Sequence, residues 1–247
     1  MKALFWNGEE NRLRSFWRIL LQTLILVVLL LLSSIVVGIA IAGLVMAEGE
    51  SLPTQSGALM DHLLSRPGLR MFIFSAQFVA VAAGVWFGGR FLDRRRFRDF
   101  GLHVTPAWWR DFAFGLGLGT ALVTLVFLAL RIAGWLEISG TFTTARPGQN
   151  FVPTILAALI SFVMVGFYEE LYARGYLLTN VAEGLRGPLG TIGALLVATL
   201  LSSLVFGVAH LANPNAASVP LGRVALNLVF SGLWLAAGYV LTGELAI

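Results

Sequence analysis

Long runs of apolar residues without a charged side chain dominate this sequence. The first run, from Ile19 to Met46, exceeds the stretch of about 20 residues that a helix needs to cross a bilayer. Only 12% of the residues are charged, whereas soluble domains have about 25%. We therefore predict an all-α fold, a polytopic transmembrane helical bundle of about six spans. The predicted spans are 19–46, 71–91, 112–136, 151–168, 191–211 and 223–241.

Composition also limits the chemistry and the partners. The chain has no cysteine, which excludes disulfides, thiol catalysis and zinc–thiolate sites. Its net charge of +4 comes mostly from arginines near predicted helix ends, so we expect the lipid bilayer as a partner and no nucleic acid. Most of these basic residues lie in segments that the predicted topology places on the same side of the membrane as the N-terminus. The positive-inside rule then predicts a multi-pass integral membrane protein with a cytoplasmic N-terminus.

The third predicted span carries two further signals. Gly115, Gly117 and Gly119 would allow another helix to approach closely. The segment Trp108-Trp109-Arg110 before it is typical of an aromatic anchor in a cytoplasmic loop at the membrane interface.

Two adjacent carboxylates, Glu169 and Glu170, follow the apolar run that begins at Phe151. A charge at the centre of a membrane helix costs about 2.5–3.5 kcal/mol on insertion scales, so such residues are rare and usually functional. Glu170 and Arg174 are four residues apart, share a helix face and are expected to pair. Glu169 points about 100° away from Glu170 and has no local partner. This stretch predicts a structural carboxylate beside one that is available for chemistry.

His210 is the histidine for which we predict a function, because it ends an apolar span, where an imidazole needs a partner. His62 lies in a polar loop and is expected to be solvated. His103 precedes a proline turn in a basic loop, where a structural role is expected.

A glutamate and a histidine are a workable pair for hydrolysis. The carboxylate can take a proton from water, and the histidine can bind a metal or stabilise the developing oxyanion. A serine triad is less attractive. Ser202 and Ser203 precede His210, but no acid follows at a spacing that would orient the ring.

The motifs Glu169-Glu170-x-x-x-Arg174 and Phe206-x-x-x-His210 resemble the first two motifs of the CPBP intramembrane protease family. That family includes type II CAAX prenyl endopeptidases and the bacteriocin-processing and self-immunity proteins called the Abi family. The resemblance covers roughly residues 100–247. We therefore divide a single membrane domain, 1–247, into N-terminal spans one and two (1–100) and a protease-like core (101–247).

The resemblance implies an intramembrane metalloendopeptidase of a prokaryotic cell membrane, acting on a peptide or protein substrate. Glu169 would activate the attacking water and His210 would contribute to the same site, while Glu170 and Arg174 would support it. The implied cofactor is a divalent metal, with zinc as the expected ion, bound by Glu169 and His210.

The sequence lacks a third motif of that family, His-x-x-x-Asn, which follows a Thr-Gly turn. Thr242-Gly243 reaches the turn, and no histidine follows His210. We expect the chain either to be a fragment or to have lost part of its site. Asn227, in the sixth span, could substitute, although an interhelical hydrogen bond is the expected role of such a residue.

Depth in the membrane sets a condition on the site. In separate helices, Glu169 would lie about 25 Å along the fourth span and His210 about 28 Å along the fifth, near opposite faces of the bilayer. They can meet if the fourth helix runs from Phe151 to Glu183, or if the region of Asn213-Pro214-Asn215 dips into the membrane. We predict the long helix, followed by a short loop with Gly184, Gly187 and Pro188.

Other functions remain open. A non-catalytic membrane protein that binds a peptide or partner, such as an immunity factor or scaffold, would suit an incomplete site. A transporter with a Glu/His proton relay would need polar groups on several spans, and the first three contain almost none. The Glu–Arg pair could also be purely structural.

Overall fold

The computed structural model describes residues 2–49, 66–144, 148–211 and 220–246, which are mostly helical. A short helix, α1 (Lys2–Phe5), and a hairpin of two antiparallel strands, β1 (Trp6–Asn7) and β2 (Arg12–Leu13), come first. The longer helices are α2 (Ser15–Ala47), α3 (Pro67–Phe87), α4 (Pro106–Ile132), α5 (Phe151–Glu170), α6 (Thr179–His210) and α7 (Leu221–Thr242). Two π-helical segments, Gly88–Asp93 and Leu171–Leu178, continue α3 and join α5 to α6, and a 3-10 turn spans Phe97–Phe100.

Five helical stretches in the described part of the chain are long and apolar enough to cross a membrane. They are Ser15–Ala47, Pro67–Asp93, Pro106–Ile132, Phe151–His210 and Leu221–Thr242. The predicted all-α, polytopic fold is thereby confirmed. The predicted fourth and fifth spans both fall within Phe151–His210, which has 60 residues.

This 60-residue stretch is broken at Gly190, whose backbone (φ 67°, ψ 179°) is not helical. A positive φ suits glycine because it has no Cβ. We call residues 151–189 the central helix and residues 191–210 the return helix. The Ser202 hydroxyl of the return helix donates to the Ala173 carbonyl of the central helix at 2.7 Å, so the two pack side by side and run in opposite directions.

The predicted long fourth helix is therefore confirmed, and it extends beyond Glu183 to the break at Gly190. The predicted loop at Gly184, Gly187 and Pro188 is wrong, because the chain stays helical there. A Cβ on Gly184 would lie 2.8 Å from the Cβ of Ser15, so this glycine allows α2 to approach closely.

The third span differs most from its prediction. It begins at Pro106, where the Thr105 hydroxyl accepts a hydrogen bond from the Trp108 amide, so the predicted tryptophan loop forms the first helical turn. It ends at Ile132, before Gly134 with φ 73°, rather than at 136. None of its residues is buried, and a Cβ on Gly117 or Gly119 would meet nothing within 4 Å among the described residues. The predicted close helix contact is therefore wrong at these two glycines.

The core lies where α2, α3 and the central helix meet. Its buried cluster comprises Leu26, Val81, Val85, Phe100, Leu171 and Tyr176. A second cluster joins the central helix, the return helix and α7 through Leu178, Ala198 and Ala236. Many other large apolar side chains face outward, as expected for helices surrounded by lipid.

A group of charged side chains links the N-terminal arm, residues 2–14, to one end of this core. This charge cluster comprises Arg12, Arg18, Asp93, Arg95 and Glu183. Arg18 pairs with Asp93, and both are buried. Glu183 of the central helix pairs with Arg12, Arg18 and Arg95. Burial lowers the pKa of the Arg95 guanidinium, and the charge of Asp93 opposes that shift. The charge cluster therefore holds the C-terminal end of the central helix in place, away from Glu169.

Candidate active site

The structure brings Glu169 and His210 together near the middle of the central helix. Glu169 lies at the last turn of α5, and His210 is the last residue of the return helix. His210 Nε2 is 3.4 Å from Glu169 Oε1, and the two side chains are 28% and 26% exposed. The reversal at Gly190 makes this contact possible, because it brings the end of the return helix back to the level of the glutamates.

The orientation of the His210 ring is fixed by its own helix. Nδ1 lies 2.8 Å from the Phe206 carbonyl oxygen, which can only accept a hydrogen bond, so Nδ1 carries a proton. Nε2 then faces the Glu169 carboxylate. The contact is attractive when a proton lies on Nε2 or on the carboxylate, because two bare acceptors would repel each other. The pair is therefore arranged to hold and transfer one proton.

Glu170 is held in a different environment. Its Oε1 accepts from Arg174 Nη1 at 2.8 Å, as the four-residue spacing predicted. Arg174 is fully buried, and its Nη2 donates to the Gly232 carbonyl of α7 at 2.8 Å. This pair therefore links the central helix to α7.

The two pairs are connected through the ring of Phe206. The Arg174 guanidinium carbon lies 4.6 Å from the centroid of that ring, within the range of a cation–π contact. The Phe206 and His210 ring centroids are 4.4 Å apart. A buried arginine thus supports the phenyl ring on which the imidazole packs, so Glu170 and Arg174 are suited to position His210.

The local backbone departs from a regular α-helix beside the glutamates. The π-helical segment Leu171–Leu178 starts directly after Glu170 and contains Arg174. Such insertions are frequent at functional sites. The segment is buried almost throughout, and the Ser202 hydroxyl binds its Ala173 carbonyl.

Comparison with known proteins bears on this same part of the chain. Residues 151–247 match the family model described as type II CAAX prenyl endopeptidase Rce1-like. The C-terminal part of this chain is similar to that family. This match confirms the resemblance noted from the two motifs and covers the central helix, the return helix and α7.

One relative of uncharacterised function is similar over more of the chain. "Uncharacterized protein YyaK" of Bacillus subtilis (strain 168) is 26% identical over 202 residues, which cover 81% of this chain and 62% of the relative. The chain thus spans less than two thirds of the relative's length. No solved structure matched the chain.

A zinc ion is not accommodated by the described Rce1-like residues alone. Catalytic zinc sites use three protein ligands and leave one position for water or substrate. Glu169 and His210 would supply two, and no group of three His, Cys, Asp or Glu residues occurs in the described part of the chain. Glu170 is already held by Arg174. The predicted zinc ion therefore remains a prediction.

The other sequence candidates that the structure describes have environments of their own. Asn227 is exposed on α7. His103 Nδ1 lies 2.7 Å from Glu244 Oε1, in line with its expected structural role. Ser202 and Ser203 are buried between helices and serve packing. His62 and the segment Asn213-Pro214-Asn215 lie outside the described residues.

Sequence reasoning assigned no role to two contributors to the site, the Phe206 ring and the Gly232 carbonyl. The Phe206 ring could have been found, because residues four apart on a helix are neighbours and Phe206-x-x-x-His210 has that spacing. The Gly232 carbonyl carries no such signal, since any residue provides a carbonyl.

Proposed function

We propose that this protein is an intramembrane endopeptidase that hydrolyses peptide bonds of a peptide or protein substrate near the membrane surface. The observation that carries the proposal is the Glu169–His210 contact at 3.4 Å. It joins an acid–base pair inside a membrane-spanning stretch, within the residues that are Rce1-like.

In this proposal Glu169 is the general base. Its carboxylate takes a proton from water as the water oxygen bonds to the carbonyl carbon of the peptide. The carbonyl oxygen becomes an oxyanion. When the C–N bond breaks, the leaving nitrogen takes the proton back from Glu169, so that the carboxylate is restored.

His210 has a complementary role. With protons on both ring nitrogens, Nδ1–H stays bound to the Phe206 carbonyl and Nε2–H is free to donate to the oxyanion. The substrate carbonyl would replace Glu169 as the partner of Nε2. Glu170 and Arg174 act as positioning residues, because they hold the Phe206 ring against the imidazole.

We further propose that the N-terminus faces the cytoplasm of a prokaryotic cell. The charge cluster and the basic segment from Arg90 to Arg98 lie at the same end of the bundle as the N-terminal arm, in keeping with the positive-inside rule. The similarity to a Bacillus protein supports a bacterial membrane.

The test is Glu169→Gln in protein reconstituted into liposomes with a lipid-anchored, fluorogenic peptide library. We expect cleavage to be lost while the thermal unfolding temperature is unchanged, since the amide keeps the size of the side chain but cannot take the proton. Glu9→Gln, at an exposed position in the N-terminal arm, is the matched control and should cleave normally. Equal cleavage by both variants would refute the proposal.

A second candidate is a non-catalytic membrane protein that binds a peptide. Glu169 and His210 contact each other directly, and the described ranges contain no group of three His, Cys, Asp or Glu residues that could hold a metal ion, which favours this reading. It predicts that a peptide retained by the liposomes is released intact and that Glu169→Gln changes affinity rather than turnover.

A further inference from the structure

Three tyrosines form a row along the face of the central helix that meets α2 and α3. Tyr168, Tyr172 and Tyr176 are spaced by four residues, and the last two lie in the π-helical segment. In an α-helix, every fourth residue drifts around the axis, because a turn has 3.6 residues. The wider π-helical turn reduces that drift. The Tyr172 and Tyr176 rings are accordingly almost parallel, with 4° between their planes.

The three hydroxyl groups point into the seam between these helices. The Tyr176 hydroxyl donates to the Arg18 carbonyl at 3.4 Å, and the Tyr172 hydroxyl is 3.1 Å from Thr23 Oγ on α2. The Tyr168 hydroxyl donates to Gln77 Oε1 on α3 at 3.2 Å. A line of polar groups therefore runs through an otherwise apolar contact between membrane-spanning helices.

The side-chain amide of Gln22 lies in the same seam and is not satisfied by the protein. Gln22 is fully buried, and neither its oxygen nor its nitrogen has a hydrogen-bond partner among the described residues. A Cβ on Gly88 would lie 2.0 Å from Gln22 Oε1 and 3.2 Å from Tyr176 Cε2. The glycine thus makes room for the amide next to the Tyr176 ring.

The two ends of this row differ in character. At one end, Tyr176 and Gln22 adjoin Arg18 of the charge cluster, whose members Glu183 and Arg95 are 24% and 21% exposed. At the other end, Tyr168 precedes Glu169 in sequence, and Tyr172 is three residues beyond Glu169 on the neighbouring helix face. The polar seam therefore extends from the partly exposed charge cluster to the turn of the central helix that contains Glu169.

We propose that ordered water molecules occupy this polar seam, defined by Gln22, Thr23, Gln77, Tyr168, Tyr172 and Tyr176, and connect the charge cluster with Glu169. The proposal rests on the proposed function for its purpose, since each hydrolysed peptide bond consumes one water. The binding of water itself can be tested without any substrate.

Water suits the seam for two reasons. A buried amide without a partner costs free energy in a membrane interior, and buried waters commonly bridge such groups with about three hydrogen bonds. The seam contains tyrosine and threonine hydroxyls together with the side-chain amides of Gln22 and Gln77, so it offers both donors and acceptors to a molecule that needs both.

The direct test is X-ray radiolytic footprinting of the full chain in lipid nanodiscs, in which hydroxyl radicals made from bound water oxidise the adjacent side chains. Tyr176 and Phe100 are an internal matched pair, because both are fully buried and their ring centroids are 5.7 Å apart. We expect oxidation of Tyr176 and Tyr172 and none of Phe100. Equal, background oxidation of Tyr176 and Phe100 would overturn the proposal.

Gln22→Leu is the corresponding variant, since leucine fills similar space without the amide. We expect loss of oxidation at Tyr176 and slower peptide cleavage. Thr199→Val is the control and should leave both unchanged, because the Thr199 hydroxyl donates to the Leu195 carbonyl of its own return helix. Unchanged Tyr176 oxidation in a folded Gln22→Leu protein would contradict the role of the amide.

The same experiment separates the two proposals. Oxidised tyrosines without cleavage by the unaltered protein would mean that the seam holds water and the protease proposal fails. Cleavage that depends on Glu169, with tyrosines at background, would mean that water reaches the site from elsewhere and the seam proposal fails.

Discussion

Glu169 and Glu170 are adjacent in the sequence but occupy opposite kinds of environment. Glu170 binds a fully buried arginine that also binds α7, so its position is fixed by two helices. Glu169 lies 3.4 Å from an imidazole, its ion-pair partner among the described residues, and about a quarter of its side chain is exposed. One carboxylate is thus part of the structure, whereas the other is free to exchange its partner, as a catalytic base must.

The difference arises from helix geometry. Adjacent residues on a helix point about 100° apart, so one faces the interior with Arg174 and the other faces the end of the return helix. A substitution on one side should therefore change stability, and a substitution on the other should change turnover. The variants below test that separation.

Removal of the buried cation should have the largest effect. In Arg174→Met, Glu170 loses its ion pair and Gly232 loses its donor. Breaking a buried pair by removing one partner typically costs about 3–5 kcal/mol, and we expect a loss of that order in the free energy of unfolding. The measurement is reversible denaturation in mixed micelles. Arg110→Met, at an exposed position on α4, is the control, and an equal loss in both variants would contradict the assignment.

Replacement of the imidazole should produce the opposite pattern. His210→Gln replaces the proposed cationic imidazolium donor with a neutral amide, and loss of an oxyanion-stabilising interaction lowers turnover by about 10²–10³-fold. Stability should change little, because His210 is partly exposed and its polar contacts in the described part of the chain are with Phe206 and Glu169. Peptide cleavage and unfolding are measured together. His103→Gln, in the segment before α4 where His103 pairs with Glu244, should cleave normally. A normal rate in His210→Gln would exclude the imidazole from the reaction.

The sequence alone was enough for the Glu170–Arg174 pair, because a four-residue spacing on a helix determines that contact. The approach of Glu169 to His210 required a further step, since it depends on where the long helix breaks. Gly184 and Pro188 indicated a loop by composition, yet the break is at Gly190. Gly184 is small because Ser15 packs on it, a reason that only the assembled structure reveals.

The charge cluster lay beyond sequence reasoning for a similar cause. Arg18 and Asp93 are 75 residues apart, and Arg18 and Glu183 are 165 apart, so no local spacing relates them. Sequence patterns identified the membrane spans well because hydrophobicity is a property of each segment. Contacts between distant segments depend on how the helices pack, which hydrophobicity does not determine.

A smaller effect is expected where α7 supports the pair. A Cβ on Gly232 would lie 2.9 Å from the Cα of Ser203, so Gly232→Ala would push α7 away from the return helix. Overpacking of this kind typically costs about 1–3 kcal/mol. The carbonyl that holds Arg174 would move with the helix, so turnover should fall as well. Unfolding and cleavage are measured against Gly222→Ala, where a Cβ meets none of the described residues within 4 Å. Indistinguishable behaviour of the two variants would contradict the tight packing of Gly232.

The smallest expected effect concerns the hydrogen bond between the central and return helices. Ser202→Ala leaves the Ala173 carbonyl without its donor, and loss of one such bond typically costs about 1 kcal/mol. Because Ala173 precedes Arg174, this change should weaken the support of the Glu170–Arg174 pair without altering the Glu169–His210 contact. We therefore expect lower stability with nearly normal turnover, in contrast to His210→Gln. Ser34→Ala, at an exposed position of α2, is the matched control. If Ser202→Ala reduced cleavage as strongly as His210→Gln while the protein stayed folded, the two glutamates could not be assigned separate roles.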